Sequence, residues 1–186
     1  RSSLVGSEMC IRDRGQATAG VSLHFFDTGP GIAEGGRGLR ITRRWRRVEL
    51  GKEDTEGKPS WSYAPVTEVV PTGTILECEI TVESPESRDF VMITDPHAAG
   101  FEPARGMKGL GLDLEPTETR RERHDDRTLF FFTELDAGKT VVRHYVRATH
   151  VGAFVVLPPQ AELMYFPEFR ANGNGTVLEI TAKEVK

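Results

Sequence analysis

Alternation of apolar and polar residues within residues 74–83 is the feature that most limits how this chain can fold. One face would carry Leu76, Cys78, Ile80 and Val82, and the other would carry Glu77, Glu79, Thr81 and Glu83. A period of two residues indicates a β-strand, and an apolar face opposite a charged face is typical of an antiparallel sheet with one solvated side. We therefore expect a strand here whose glutamate face is wet.

Other segments repeat this β-prone pattern between turn residues. The further candidate strands are residues 21–26, 39–47, 89–94, 128–133, 140–149, 152–157 and 176–181, with a polar loop at 51–60. Helical periodicity is almost absent, and the one candidate for a helical turn, residues 103–114, contains three glycines that oppose a long helix. Many short strands separated by turns predict an all-β fold, an antiparallel two-sheet β-sandwich.

Composition excludes several functional classes. The chain has 186 residues and a formal net charge of -4, and no apolar run approaches the roughly 20 residues needed to cross a bilayer. Because the net charge is negative, we expect neither nucleic acid nor direct membrane insertion among its partners. The two cysteines, Cys10 and Cys78, form no C-x-x-C pair, so they predict neither a zinc site nor a disulfide scaffold.

The six arginines between residues 37 and 47, with Trp45 among them, are the strongest candidate for a nucleic-acid surface. On a strand these side chains divide between two faces, and Glu53, Asp54 and Glu56 follow closely in sequence. We therefore predict a solvated strand held by salt bridges rather than a phosphate-binding surface.

Histidine and acidic residues occur together at two places that could suggest a metal ion. The adjacent His124, Asp125 and Asp126 would point in different directions on an extended chain. Asp95 and His97 flank a proline, which favours a turn. We predict surface turns at both places and no metal site.

No motif for catalysis or phosphate binding is complete in the sequence. It has no G-x-S-x-G and no H-E-x-x-H, and the glycines within residues 106–111 lack the remaining residues of a P-loop. Cys78 lies on the apolar face of its predicted strand, so we expect a small core residue. Calcium or carbohydrate binding through Asp125, Asp126 or the turn at residues 172–175 is not supported by the ligand spacing. We predict no catalytic residue, no cofactor and no enzymatic activity.

Residues 158–168 form the most distinctive aromatic segment. Prolines open and close it, so the backbone is expected to form a stiff extended or turning loop that presents Met164, Tyr165 and Phe166. Composition alone favours packing of these side chains against the end of the sandwich over contact with a partner. Both interpretations remain open at this level.

Three segments in order resemble the C-terminal macroglobulin-like domain of bacterial alpha-2-macroglobulins. They are GLRITRRWRRV at 38–48, VMITDPHAAGFEP at 91–103, and residues 120–170, which run from RRERHDDR through PPQAELMYFPEFR. No single motif is decisive, but their order and spacing together are specific. The resemblance covers most of the chain and implies the same β-sandwich fold as the strand pattern.

The resemblance also implies a function. Members of this family are broad-spectrum protease traps of the bacterial periplasm, commonly anchored to the inner membrane as lipoproteins, in which bait cleavage exposes a thioester that acylates the protease. This chain has no C-x-E-Q thioester motif. It would instead pack against the thioester domain and other macroglobulin-like domains of its parent chain, and would meet target proteases only through the full-length protein. Met164 and Tyr165, with Phe166, would shield the thioester from water.

The first 36 residues lead us to expect that the sequence is a fragment. Residues 1–14 resemble translated sequencing-adapter read-through, as found in metagenomic reading frames, so Cys10 is expected to be accidental. We expect residues 15–36 to be the tail of a preceding CUB-like domain and residues 37–186 to form the C-terminal macroglobulin-like domain. A free-standing periplasmic or cell-surface adhesion module is the alternative, since a sandwich fold alone does not define function.

Overall fold

The computed structural model describes residues 32–53, 59–66, 69–104 and 117–183, and all regular structure in these ranges is β-strand. The strands are β1 (Gly35–Gly36), β2 (Arg40–Glu53), β3 (Pro59–Pro65), β4 (Val69–Pro71), β5 (Ile75–Ser84), β6 (Arg88–Pro96), β7 (Phe101–Pro103), β8 (Arg120–Arg123), β9 (Arg127–Leu135), β10 (Gly138–Ala148), β11 (Gly152–Val156), β12 (Gln160–Leu163), β13 (Phe166–Asn172) and β14 (Thr176–Thr181). Within the same ranges, no helix is long and apolar enough to span a membrane.

The strands form three sheets. Sheet A has the order β1-β13-β12-β6-β9-β8, sheet B the order β3-β2-β5-β10-β7, and sheet C the order β11-β14-β4. All pairs in sheets A and B are antiparallel, whereas β4 and β14 in sheet C are parallel. The predicted all-β antiparallel fold is confirmed, with a small third sheet that the strand pattern did not reveal.

Strand β5 is the centre of sheet B, between β2 and β10. Its side chains Leu76, Cys78, Ile80 and Val82 are fully buried, as the alternation predicts. Cys78, Ile80 and Val82 belong to a core shared with sheet A, and Leu76 belongs to a core shared with sheet C. Because alternate residues share one face of a strand, sheets A and C cover the same side of sheet B. The result is a sandwich of two layers.

The other face of β5 is only partly wet, since Thr81 and Glu83 are partly exposed but Glu77 and Glu79 are not, which corrects the prediction for those two glutamates. Glu77 and Glu79 are buried beneath arginines from the neighbouring strands. Arg46 on β2 pairs with Glu77, and Arg143 on β10 donates from Nε to Glu79 Oε2 at 2.8 Å. Burial raises the pKa of the Glu79 carboxyl, but the hydrogen bonds from Arg143 and Arg44 outweigh burial and lower the pKa below its ordinary value.

The predicted salt bridges on the arginine strand are therefore present, with different acidic partners. Arg44 and Arg46 pair with glutamates of the adjacent β5, because opposite charges on neighbouring strands lie within reach of each other. Residues 54–58, which hold two of the acidic residues expected to act as partners, lie outside the described residues. Guanidinium groups already neutralised by carboxylates are poor phosphate ligands, which agrees with the prediction of a structural strand.

One segment predicted as a loop is partly strand, and other predicted segments lie outside the described residues. β2 continues to Glu53 and β3 begins at Pro59, so residues 51–53 and 59–60 of the predicted polar loop at 51–60 are strand, and Glu53 pairs with Pro59. The predicted helical turn at 103–114 overlaps the last residue of β7, and its residues 105–114 lie outside the described residues. The predicted strand at 21–26 and residues 1–14 also lie outside the described residues. Gly35–Gly36 pair with β13, and the division at residue 36 stays a prediction.

Gly100 allows sheet C to pack closely on the turn before β7. A Cβ atom built on Gly100 would lie 2.4 Å from Phe154 and 2.7 Å from Ile180. Real Cβ atoms do not approach ring carbons this closely, so the position requires glycine.

We predict that Gly100→Ala destabilises the chain by about 1–3 kcal/mol, because the added methyl must displace the partly buried ring of Phe154. Urea unfolding followed by circular dichroism measures this change. Gly35→Ala is the matched control, since its Cβ would meet nothing closer than 3.8 Å. Equal effects of the two substitutions would contradict the packing described for Gly100.

Candidate functional site

The segment expected to be a stiff loop is mainly a β-hairpin. β12 and β13 pair with each other, and the turn between them consists of Met164 and Tyr165. Leu163 faces Phe166 across the turn, and the register shifts between Glu162 and Leu163. Of the loop predicted at residues 158–168, residues 160–163 and the residues from 166 onward are strands. Pro158 and Pro159 lie before the first of these strands.

Four apolar side chains are exposed around this turn. Met164 is 46% exposed, Tyr165 67%, Phe166 57% and Phe90, on the neighbouring strand β6, 43%. We call Phe90, Met164, Tyr165 and Phe166 the aromatic tip. The three residues predicted from sequence therefore point to solvent and do not fill the sandwich core.

The aromatic tip stands on buried parts of sheet A. Ala161 and Leu163 of β12 are buried in the core shared with sheet B, and β12 lies between β13 and β6. The Met164 N–H donates to the Phe90 carbonyl at 2.8 Å. The Tyr165 ring meets the Phe90 ring edge to face, with centroids 5.2 Å apart at 84°. The tip is thus fixed by backbone and ring contacts, although its apolar atoms are exposed.

Phe90 was not identified from sequence. Its position in the predicted strand 89–94 was visible, but its partner Tyr165 is far away in the chain. Pairing of β6 with β12 brings the two together. A sequence pattern of period two carries no information on that pairing.

Between sheets A and B, Asp95 forms a buried charged cluster that was not predicted from the sequence. Asp95 on β6 is fully buried, which corrects the prediction of a surface turn at this position. Its Oδ1 accepts a hydrogen bond from Arg43 Nη1 at 2.7 Å, and its Oδ2 accepts one from His144 Nε2 at 2.6 Å. The Cys78 thiol lies 3.3 Å from Oδ2. We call these four residues the Asp95 cluster.

Burial and neighbouring charge set the ionisation of the Asp95 cluster. Burial raises the pKa of the Asp95 carboxyl, but the hydrogen bond from His144 and the charge of Arg43 outweigh it and hold the pKa well below its ordinary value. Burial, followed by the charge of Asp95, raises the pKa of the Cys78 thiol well above its ordinary value. Asp95 is therefore a carboxylate, and Cys78 remains a thiol that donates to it. Cys78 is buried as predicted, with this added polar contact.

The donor atoms of Cys78, Asp95 and His144 lie within 4.8 Å of one another, a spacing that could hold a metal ion. Arg43 already neutralises the Asp95 carboxylate at 2.7 Å. The raised pKa of Cys78 also opposes the thiolate that a metal would need. The arrangement is better explained as a satisfied polar network between sheets.

His97 lies beside the Asp95 cluster rather than in a surface turn. Its Nε2 is 2.9 Å from Thr128 Oγ1, and its ring stacks on His144 with centroids 5.4 Å apart. Burial, followed by the charge of His144, lowers the pKa of His97 to about 4. His97 is therefore neutral at pH 7.

Two further predicted turns, at residues 124–126 and 172–175, lie outside the Asp95 cluster; the first is exposed, and the second contacts the start of the described chain. His124, Asp125 and Asp126 are exposed between β8 and β9, as predicted. In the turn at residues 172–175, Asn172 Nδ2 donates to the Ala33 carbonyl and Asn174 Oδ1 accepts from the Glu34 N–H, both at 2.8 Å. Those two amide groups hold the start of the described chain against the sandwich.

An all-β sandwich with exposed apolar side chains clustered on a fixed turn is typical of a domain that contacts another surface. The family model of the bacterial alpha-2-macroglobulin MG10 domain matches residues 38–168. The chain therefore belongs to this family, and the resemblance derived from its motifs is confirmed.

Solved structures show the same fold at low sequence identity. The native conformation of Escherichia coli alpha-2-macroglobulin matches with a TM-score of 0.64 and 19% identity, over 84% of this chain and 10% of that chain. Salmonella alpha-2-macroglobulin reacted with methylamine matches with a TM-score of 0.63 and 20% identity, over 81% of this chain and 10% of that chain. No curated protein matches the sequence. The chain spans about a tenth of the length of these two proteins.

We predict that Asp95→Ala destabilises the chain by about 3–5 kcal/mol, because it leaves the buried Arg43 guanidinium without its counter-charge. Denaturant unfolding measures the change. Asp126→Ala, in the exposed turn, should leave the unfolding midpoint unchanged. A similar small effect at both positions would show that the Asp95 cluster does not hold the sheets together.

We further predict that the free energy of unfolding falls as the pH falls from 6.5 to about 4. The pKa of folded His97 lies below its value of 6.5 in the unfolded chain, so the unfolded chain binds the proton first and acidification favours unfolding. His97→Gln should remove much of this loss in urea titrations at several pH values, whereas the exposed His124→Gln should retain it. An unaltered pH profile in His97→Gln would refute this assignment.

Proposed function

We propose that this chain is the terminal, thioester-shielding and interdomain-packing domain of a bacterial alpha-2-macroglobulin-like protease trap. The observation that carries the proposal is the aromatic tip, in which Met164 and Tyr165 are exposed at a fixed turn. Membership of the MG10 domain family supplies the context of a larger protein.

The tip has the chemistry that a water-excluding contact needs. An acyl thioester survives only where water and other nucleophiles are kept away, and closing a site with apolar groups excludes them. A thioether adapts to irregular surfaces, and an aromatic ring covers a large area with few rotatable bonds. Met164 and Tyr165 place both groups side by side on a supported turn.

Exposure of the tip favours a partner surface over core packing. Tyr165 and Phe166 are both more than half exposed, yet they lie on the same hairpin as the buried Ala161 and Leu163. Clustered exposed apolar side chains on a rigid element are typical of contact surfaces. In the proposed parent protein, the thioester domain covers this surface before activation, and other macroglobulin-like domains pack on the remainder of the sandwich.

The role proposed for this chain is therefore that of an inhibitor component and not of an enzyme. Target proteases would meet the full-length trap, in which cleavage of a bait region releases the shielded thioester. The corresponding location is the periplasm, with an inner-membrane lipoprotein anchor on the parent protein.

The test is Tyr165→Ala in the parent protein that contains this domain. We expect faster incorporation of methylamine at the thioester, because water and amines gain access when the ring is removed. Leu50→Ala is the matched control, since Leu50 has the same 67% exposure as Tyr165 but lies on β2 in sheet B. Incorporation at the wild-type rate in Tyr165→Ala would contradict the shielding role, and a parent without a thioester would leave Met164 and Tyr165 as interdomain packing.

A further inference from the structure

Phe90 has a backbone conformation that a bulky side chain rarely adopts. Its φ angle is +54°, and among the described residues it is the only non-glycine residue with a positive φ. The Cβ atom of an L-residue crowds its own backbone in this region, so the conformation is unfavourable for phenylalanine. The pairs Asp89–Glu134 and Val91–Phe132 keep their register on either side. The distortion is therefore confined to one residue.

Core packing does not explain this strain. The Phe90 side chain is 43% exposed, whereas the next residue, Val91, is fully buried. Strained residues persist where surrounding contacts hold them, and they cluster at functional sites. Two contacts join Phe90 to the turn of the aromatic tip: its carbonyl accepts from the Met164 N–H, and its ring meets that of Tyr165.

We propose that Phe90 is a positioning residue for Tyr165. Its left-handed backbone turns the ring towards the turn, where the edge-to-face contact fixes the Tyr165 ring in one orientation, while its carbonyl holds the Met164 amide. The ring that covers the partner surface is thus ordered before the partner binds, which lowers the entropy cost of the contact. This role rests on the proposed shielding function, and it adds a residue on β6 to that surface.

The first experiment is nuclear magnetic resonance on this chain with Phe90→Gly. Glycine adopts a positive φ freely and keeps the carbonyl, so only the ring is lost. We expect the Tyr165 ring protons to lose their ring-current shift and the Met164 amide to stay protected from hydrogen exchange. We also expect no fall in the unfolding midpoint, because the backbone strain is relieved.

Two further variants separate positioning from a general loss of structure. Phe90→Asn also tolerates a positive φ and lacks the ring, so it should reproduce the Tyr165 shifts if Phe90→Gly does not fold. Phe90→Tyr restores an aromatic ring and should restore the wild-type Tyr165 shifts. Tyr165 resonances that stay at their wild-type positions in both ringless variants would overturn the proposal.

The same variants in the parent protein distinguish this proposal from the shielding function. If Tyr165→Ala and Phe90→Gly both speed methylamine incorporation, and the double variant is no faster than Tyr165→Ala alone, positioning through Tyr165 is supported. If only Tyr165→Ala speeds the reaction, shielding stands and the positioning role is overturned. If neither does, while Phe90→Gly still shifts the Tyr165 resonances, positioning stands and the shielding function fails.

Discussion

The buried carboxylate of Asp95 joins the two layers of the sandwich through hydrogen bonds with charged and polar side chains. Asp95 belongs to sheet A, and its partners Arg43, Cys78 and His144 come from three adjacent strands of sheet B. Arg43 also donates from Nη2 to the Leu157 carbonyl at 2.8 Å, directly after β11 of sheet C. A buried carboxylate without these partners would be costly, so the sheets can stack in this register only with the partners in place.

Strand β6 connects this buried cluster to the aromatic tip. It carries Asp95 near one end and Phe90 near the other, and it pairs with β12 between them. The Asp95 cluster and the surrounding core fix the position of β6, and β6 in turn fixes the turn at Met164 and Tyr165. An exposed apolar surface can be ordered in this way without being buried, which is what a preformed contact surface requires.

Local patterns in the sequence were sufficient for the fold class and for locating the segment that holds three of the four tip residues, but not for the exposure of those residues. The alternation in β5 predicted its buried face, and the proline-flanked segment identified Met164, Tyr165 and Phe166. The buried charges were not predictable in the same way, because Arg43, Asp95 and His144 are far apart in the chain and meet only when the sheets stack. Glu77 looked solvent-facing because the residue that covers it, Arg46, lies on β2, and pairing of β2 with β5 within sheet B brings the two together.

The central claim is that the aromatic tip covers a thioester in the intact parent protein. The most direct test replaces Tyr165 with the photo-crosslinking residue benzoylphenylalanine in that protein and maps the cross-linked peptides before and after methylamine treatment. The shielding function predicts a cross-link to the peptide that carries the thioester in the native protein, and the loss of this cross-link after treatment. Cross-links only to other regions, or the same cross-link in both states, would contradict it.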